Sequence, residues 1–245
     1  MECIYIPEIN QNETNYKISD NEAHHLKVLR LQSGNQVLIT SGKGQMAIAT
    51  INRTSKNNFE ANIIKWFNNN MGEVNFKIGL AIGILDNRER FEFAIEKSTE
   101  LGISAIYPLI TEHSQQNKIN KDRLITKTIN TIKQCKRSIL PTINHPTTIT
   151  ELLENEKSFD RIIVADENGT NVTKKLENDI NTLLFIGSEG GFSDDELNIF
   201  RKKVPRKKVP DNVVIDNVVM WNLGNRRLRS ETAAITGVSL LSLGF

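Results

Sequence analysis

The stretch that most constrains this chain is the apolar run Leu183-Leu184-Phe185-Ile186 followed by Gly187-Ser188-Glu189-Gly190-Gly191-Phe192-Ser193. Four consecutive apolar residues ending in glycine read as a strand buried on both faces. Three glycines within five positions then make a tight loop. Ser193 with Glu196 forms a capping box, in which hydroxyl and carboxylate satisfy the first free N–H groups of a helix. Strand, glycine loop and capped helix expose backbone N–H groups at the carboxyl edge of a sheet, where α/β proteins bind small molecules. The spacing is not Gly-x-Gly-x-x-Gly and no Gly-Lys-Ser/Thr follows, so neither the dinucleotide nor the P-loop fingerprint is present. Glu189 would repel a phosphate. The loop suits a ligand with hydroxyls, an amine or a positive centre, although a glycine cluster alone is also an ordinary tight turn.

The remaining pattern divides in two. Strands are expected at 2–6, 36–40, 46–51 and 59–66, around a short helix at 22–30 capped by Asp20 or Asn21. Short strands about one helix predict a small β-barrel over residues 1–70, with the polar joint Asn68-Asn69-Asn70-Met71-Gly72 closing it. Over 71–245, strands at 74–85, 103–110, 161–165 and 183–186 alternate with helices at 88–101, 124–135, 193–203 and 230–243. That alternation predicts an α/β fold with a mostly parallel sheet covered on both faces. Lys-Lys-Val-Pro and Asp-Asn-Val-Val each occur twice within 202–219, and the prolines mark 204–212 as an exposed loop.

Bulk properties exclude more than they assign. A chain of 245 residues holds one large domain or two modest ones. Its net charge of +2 gives no whole-molecule attraction for nucleic acid, although basic residues cluster at 202–208, 226–229 and 133–137. Two distant cysteines, Cys3 and Cys135, argue for a reducing compartment without a disulfide framework. Met1 to Tyr5 lacks the basic start and apolar core of a signal peptide, and no apolar run approaches a membrane span. The expectation is a cytoplasmic protein. Histidines and cysteines show no metal-ligand spacing, so no metal is expected.

A second motif closes the argument: Leu223-Gly224-Asn225-Arg226-Arg227-Leu228-Arg229-Ser230-Glu231-Thr232-Ala233. A glycine, three arginines within four positions, and Ser-Glu-Thr opening a helix make another helix-terminal site, its cations answered by an anion or a carboxylate, although such a stretch alone is equally a surface loop with incidental charge. Together the two motifs closely resemble the signatures of the bacterial 16S rRNA uridine-N3 methyltransferases, of the knotted SPOUT class. The resemblance extends to Glu96-Lys97-Ser98-Thr99-Glu100-Leu101-Gly102 with Ile106-Tyr107-Pro108-Leu109-Ile110-Thr111-Glu112, to residues 134–137, and to His24-His25-Leu26 with Val28-Leu29-Arg30. The chain departs from that family at Ser188, usually proline, at Arg227, usually apolar, and at His113, usually arginine; the 203–221 segment also looks longer.

The resemblance implies a SPOUT-type trefoil-knotted α/β domain preceded by a PUA-like RNA-binding domain, a homodimer, S-adenosylmethionine as cofactor, and 16S rRNA or the small ribosomal subunit as partner. It implies a cofactor pocket formed by Leu184, Ile186, Gly187, Glu189, Gly190, Gly191, Leu223, Gly224, Leu228, Arg229, Glu231 and Thr232. Arg229, Arg226 and Glu189 are the implied catalytic residues. His24, His25, Arg30 and Arg137 are the implied RNA contacts. The rival readings are a methyltransferase for another RNA site, a non-catalytic RNA-binding or ribosome-assembly factor, and a dinucleotide-dependent oxidoreductase, the last disfavoured by the missing glycine fingerprint.

Overall fold

The structure is a computed structural model that describes every residue except 56–57, 173–179, 204–206, 209–213, 216–217 and 244–245. It divides into two compact units, Met1–Glu73 with Thr128–Leu140, and Val74–Lys127 with Pro141–Phe245.

The first unit contains β1 (Cys3–Tyr5), β2 (Asn15–Lys17), α1 (Asp20–Val28), β3 (Gln36–Thr40), β4 (Met46–Arg53) and β5 (Phe59–Trp66). They form one five-stranded sheet of order β1-β3-β4-β5-β2, antiparallel except for the β1–β3 pair. Ala23 and Leu26 of α1 join Ile4, Val37, Ile39, Ala49, Ile51 and Phe59 in its core. The α1 cap is Ser19, whose hydroxyl accepts from the Glu22 N–H at 3.4 Å. Ser19, Asp20 and Asn21 are all good capping residues in succession, and the sequence reading settled on the wrong members of that trio. At the other end Arg30 takes a left-handed φ of 56°. Its N–H donates to the Lys27 carbonyl, and the Leu31 N–H donates to the Leu26 carbonyl, a Schellman closure without its customary glycine.

The second unit contains β6 (Ile78–Gly83), α2 (Arg88–Glu100), β7 (Ala105–Leu109), the start of α3 (Lys121–Cys135), β8 (Thr142–Ile143), α4 (Ile149–Asn155), β9 (Arg161–Asn171), β10 (Thr182–Ile186), α5 (Asp194–Lys203), β11 (Lys207–Lys208), β12 (Val214–Ile215), β13 (Val218–Asn222) and α6 (Ser230–Ser242). Six strands form a sheet of order β13-β9-β10-β6-β7-β8, and every pairing in it is parallel. The apolar run 183–186 falls within β10, which lies between β9 and β6 and is buried throughout. Its side chains alternate with period two. Leu184 and Ile186 enter a core shared with Phe91 and Ile95 of α2 and with Ala234, Val238 and Leu241 of α6. Leu183 and Phe185 enter the core on the other face, with Ile149 and Leu152 of α4 and Leu197 and Phe200 of α5. Gly237 lets α6 lie close, because a Cβ there would sit 2.7 Å from Leu184 Cδ2.

Several boundaries differ from expectation. β6 begins at Ile78, whereas the apolar pattern predicted a strand from 74. β9 runs to Asn171, because beyond a register shift it continues to pair with Trp221 and Asn222 of β13. Within the expected loop at 204–212, residues 207–208 form β11, paired antiparallel with β12; the rest of that stretch lies outside the described residues. The short elements β2, β8 and α4 were not anticipated. Among the described residues no helix is long and apolar enough to cross a membrane, and no group of three or more acidic, histidine or cysteine side chains is placed to hold a metal ion.

Candidate functional site

Where β10 ends, its glycine loop folds back on itself. The Gly191 N–H donates to the Ser188 carbonyl at 2.9 Å, and Gly191 adopts a φ of +76°. Gly187 must lack a side chain, since a Cβ would meet Gly191 backbone atoms at 2.6–3.0 Å. Beneath the loop, Gly83 at the end of β6 allows equally close approach: a Cβ there would lie 2.4 Å from the Ser188 nitrogen. The loop is therefore held by backbone shape, the arrangement by which main-chain N–H and C=O groups reach a ligand.

Polar side chains fix the loop from three directions. The expected capping box is present: Ser193 N–H donates to Glu196 Oε2 at 2.9 Å, and Glu196 N–H donates to Ser193 Oγ at 3.3 Å. The other Glu196 oxygen accepts from the Glu112 N–H at 2.9 Å, drawing in the loop after β7. From that loop the Thr111 hydroxyl donates to buried Ser188 Oγ at 3.3 Å, and His113 abuts Gly190. Ser188, where the resembling family carries proline, is thus hydrogen-bonded in place. Glu189 Oε1 accepts from the Asp86 N–H at 3.1 Å, tying the loop to the turn after β6.

The arginine loop joins the same construction at both ends. At its start Asn222 accepts from the Gly224 N–H at 2.9 Å and donates through Nδ2 to the Glu167 carbonyl at 2.7 Å. At its end the Ser230 hydroxyl, buried at the N-terminus of α6, donates to the Ser188 carbonyl at 2.9 Å. That last bond fastens one motif to the other. Between them opens a cleft of about 210 Å³. Removing the bond by Ser230→Ala should destabilise the fold by about 1 kcal/mol. For a chain of this size that lowers the thermal midpoint by about 2–4 °C in calorimetry, and it should weaken any ligand held between the loops.

Ile186, Gly187, Glu189, Gly190, Gly191, Leu223, Gly224, Arg226 and Leu228, all expected at the site, line the cleft. Four expected residues do not. Leu184 is fully buried beneath Gly237. Arg229 is the N-cap residue of α6 with an exposed side chain, and Thr232 is exposed on the first turn. The Glu231 carboxylate faces Arg90 of α2 at 3.8 Å. Conversely, Asp166 and Glu167 of β9 and Trp221 and Asn222 of β13 line the cleft without having been anticipated. The signal for the acidic pair was available: it directly follows the apolar run 162–165, at the carboxyl end of the strand expected there, where ligands bind. The wall thus carries three carboxylates, Asp166, Glu167 and Glu189, and two guanidiniums, Arg226 and Arg227.

The residues expected to meet RNA lie in the first unit. His24 and Arg30 are exposed and His25 is half-buried. Arg137 is not displayed as expected. Its side chain is 7% exposed and its guanidinium grips Glu73, with Nη2 at 2.7 Å and Nε at 3.1 Å from Oε2. A cation enclosed in this way serves the fold, and the basic run at 133–137 gave no means of telling it from a surface charge.

Comparison with known proteins bears on this geometry. Residues 72–242 match the family model for the RNA methyltransferase domain, and residues 18–64 match that for the RNA methyltransferase PUA domain. A relative from Mesomycoplasma hyopneumoniae, called ribosomal RNA small subunit methyltransferase E, is 30% identical over 93% of this chain and 94% of its own. One of the same name from Bacillus subtilis is 27% identical over 93% of this chain and 89% of its own. Among solved structures, a Legionella pneumophila putative methyltransferase in complex with bound SAM superposes with a TM-score of 0.81 at 29% identity, covering 98% of this chain and 96% of that one. The Neisseria gonorrhoeae ribosomal RNA small subunit methyltransferase E shares the fold, with a TM-score of 0.85 at 23% identity over 99% and 97% of the two chains.

Proposed function

Because this chain belongs to the RNA methyltransferase domain family, with that family's PUA domain preceding it, we propose that it methylates N3 of one uridine of 16S rRNA in the small ribosomal subunit, uracil-1498 in the usual rRNA numbering. S-adenosylmethionine is the cofactor. The observation that carries the reading is the Ser230–Ser188 hydrogen bond, which makes the glycine loop and the arginine loop two walls of one cleft.

The residues present fit that cofactor. Gly187 and Gly191 bring bare backbone to the cleft wall. Asp166, Glu167 and Glu189 would provide acceptors for ribose hydroxyls and an amine, and negative charge that suits a sulfonium. No phosphate is present in this cofactor to be repelled by Glu189. When bound, the cofactor supplies an electrophilic methyl group on positively charged sulfur.

The chain's own residues act on the other reactant. Uracil N3 is a weak nucleophile until it loses its imide proton, whereupon charge spreads onto the ring oxygens. Arg229 and Arg226 stabilise that charge, an oxyanion-type role. Glu189, with Oε1 engaged by Asp86, keeps Oε2 for the imide proton or an amine. N3 is occupied in a Watson–Crick pair, so the nucleotide must be presented unpaired or flipped. His24, His25 and Arg30 of the first unit contact the RNA backbone in this reading. A homodimer and a knotted second unit belong to the same proposal, supported by the family resemblance.

Isothermal calorimetry of the folded protein with S-adenosylmethionine tests the reading. Saturable one-to-one binding per chain is expected. A folded protein that takes up no cofactor would contradict the enzymatic reading and leave a non-catalytic RNA-binding factor in its place.

A further inference from the structure

The arginine loop carries more positive charge than the cofactor can answer. Arg226, Arg227 and Arg229 are all exposed, and among the described residues none of the three has an ion pair or a side-chain hydrogen bond. The carboxylates nearest in sequence and on the cleft wall are partly committed elsewhere. Glu231 faces Arg90 at 3.8 Å, Glu189 Oε1 accepts from Asp86, and Asp166 Oδ1 accepts from the Asn168 N–H at 3.2 Å. S-adenosylmethionine brings one carboxylate and a positive sulfonium. Three exposed guanidiniums within four positions repel one another, and an anion among them relieves that repulsion.

The loop is also poorly suited to letting that charge drift away. Asn222 holds the Gly224 N–H, where φ is +132°, and the Ser230 hydroxyl holds the far end to Ser188. The arginines are therefore presented between two fixed points at the lip of the cleft. A guanidinium presented in this way matches a phosphate with two parallel hydrogen bonds. Arg227 is the member left over once Arg226 and Arg229 are given to the uracil oxygens. It lines the cleft and its side chain is exposed.

We propose that Arg227 binds a phosphate of the RNA strand beside the nucleotide being methylated, holding the strand at the mouth of the cofactor cleft. This rests on the methyltransferase reading given above. Because a phosphate contact carries no base information, the contribution is to affinity and register along the strand.

The test compares wild type, Arg227→Gln and Arg227→Lys for binding to a 16S rRNA transcript and to a scrambled RNA of equal length, at several salt concentrations. Calorimetry with S-adenosylmethionine is run on each protein as a check on folding and on the cofactor site. Arg227→Gln is expected to weaken both RNAs about tenfold at low salt. It should also flatten the slope of log affinity against log salt by about 0.7–0.9. Arg227→Lys should retain the wild-type slope, and cofactor affinity should be unchanged in both variants. An unaltered salt slope in Arg227→Gln overturns the proposal, as does a loss confined to the 16S transcript, which would mean a base contact. A fall in cofactor affinity overturns it too, by placing Arg227 on the cofactor. If the wild type itself binds no cofactor, the enzymatic reading fails separately, and the salt slope still decides whether Arg227 meets phosphate.

Discussion

Arg229→Ala is expected to reduce the rate of methyl transfer at saturating substrates by about 10²–10³, which corresponds to about 2.7–4 kcal/mol of transition-state stabilisation. Three features make the effect large. The residue's backbone is fixed as the N-cap of α6, with φ −68° and ψ 153°, and its carbonyl accepts from the Ala233 N–H at 2.8 Å. The next residue, Ser230, is bonded to the glycine loop, so the Arg229 Cα has little freedom. The guanidinium is exposed and uncommitted among the described residues, so it is available to charge that develops only on the substrate. Single-turnover assays with labelled cofactor read the chemical step directly. Undiminished turnover in a variant that still binds cofactor would remove Arg229 from the charge-stabilising role.

Glu73→Ala should be the most destabilising single change outside the cleft. The Glu73 side chain is 4% exposed, and its Oε1 accepts from the backbone N–H groups of Ser138 and Ile139, both at 3.0 Å. The same carboxylate meets the Arg137 guanidinium. Truncation removes the Glu73 carboxylate from a buried cation and takes the acceptor from two backbone donors, a loss of about 3–5 kcal/mol. Urea unfolding of the two proteins measures it. Glu73→Ala combined with Arg137→Met should recover part of the loss, because the buried charge is then absent. A loss below about 1 kcal/mol would mean that water reaches the pair and the interaction behaves as a surface salt bridge.

That ion pair also marks where sequence reasoning ran out. Asn68-Asn69-Asn70-Met71-Gly72 reads as a polar joint, which does not show that the Asn70 N–H donates to the Gly44 carbonyl at 2.8 Å or that Glu73 is bonded to residues 137–139. The periodicity of α3 announces an apolar face but cannot say which core receives each part of it; Thr128–Leu140 joins the first unit while Lys121–Lys127 stays with the second. β8 has two residues and β2 three, too short for any pattern to register. α4 was different. Its Thr148 and Glu151 form a reciprocal capping box that the sequence displayed openly.

The candidate site was more legible, because its parts are local. A buried run, a glycine loop and a capping box are each encoded within a few residues, and all three occur in the structure around β10. What local pattern could not supply is the pairing of distant pieces. Asp166 and Glu167 line the cleft because β9 lies beside β10, and Trp221 and Asn222 because β13 lies beside β9. Strand order is a property of the whole chain, so their place in the cleft emerged only with the fold.

In the proposed function, the cleft between residues 187–191 and 223–230 serves transfer of a methyl group to one uridine nitrogen. Mass-spectrometric mapping of small-subunit rRNA from cells with and without the active gene, and after treatment of the latter's subunits with purified protein and S-adenosylmethionine, tests it directly. One N3-methyluridine, at uracil-1498, is expected to disappear without the gene and to return on treatment with wild-type protein. An rRNA modification pattern identical in both strains and unchanged by the treatment would contradict it.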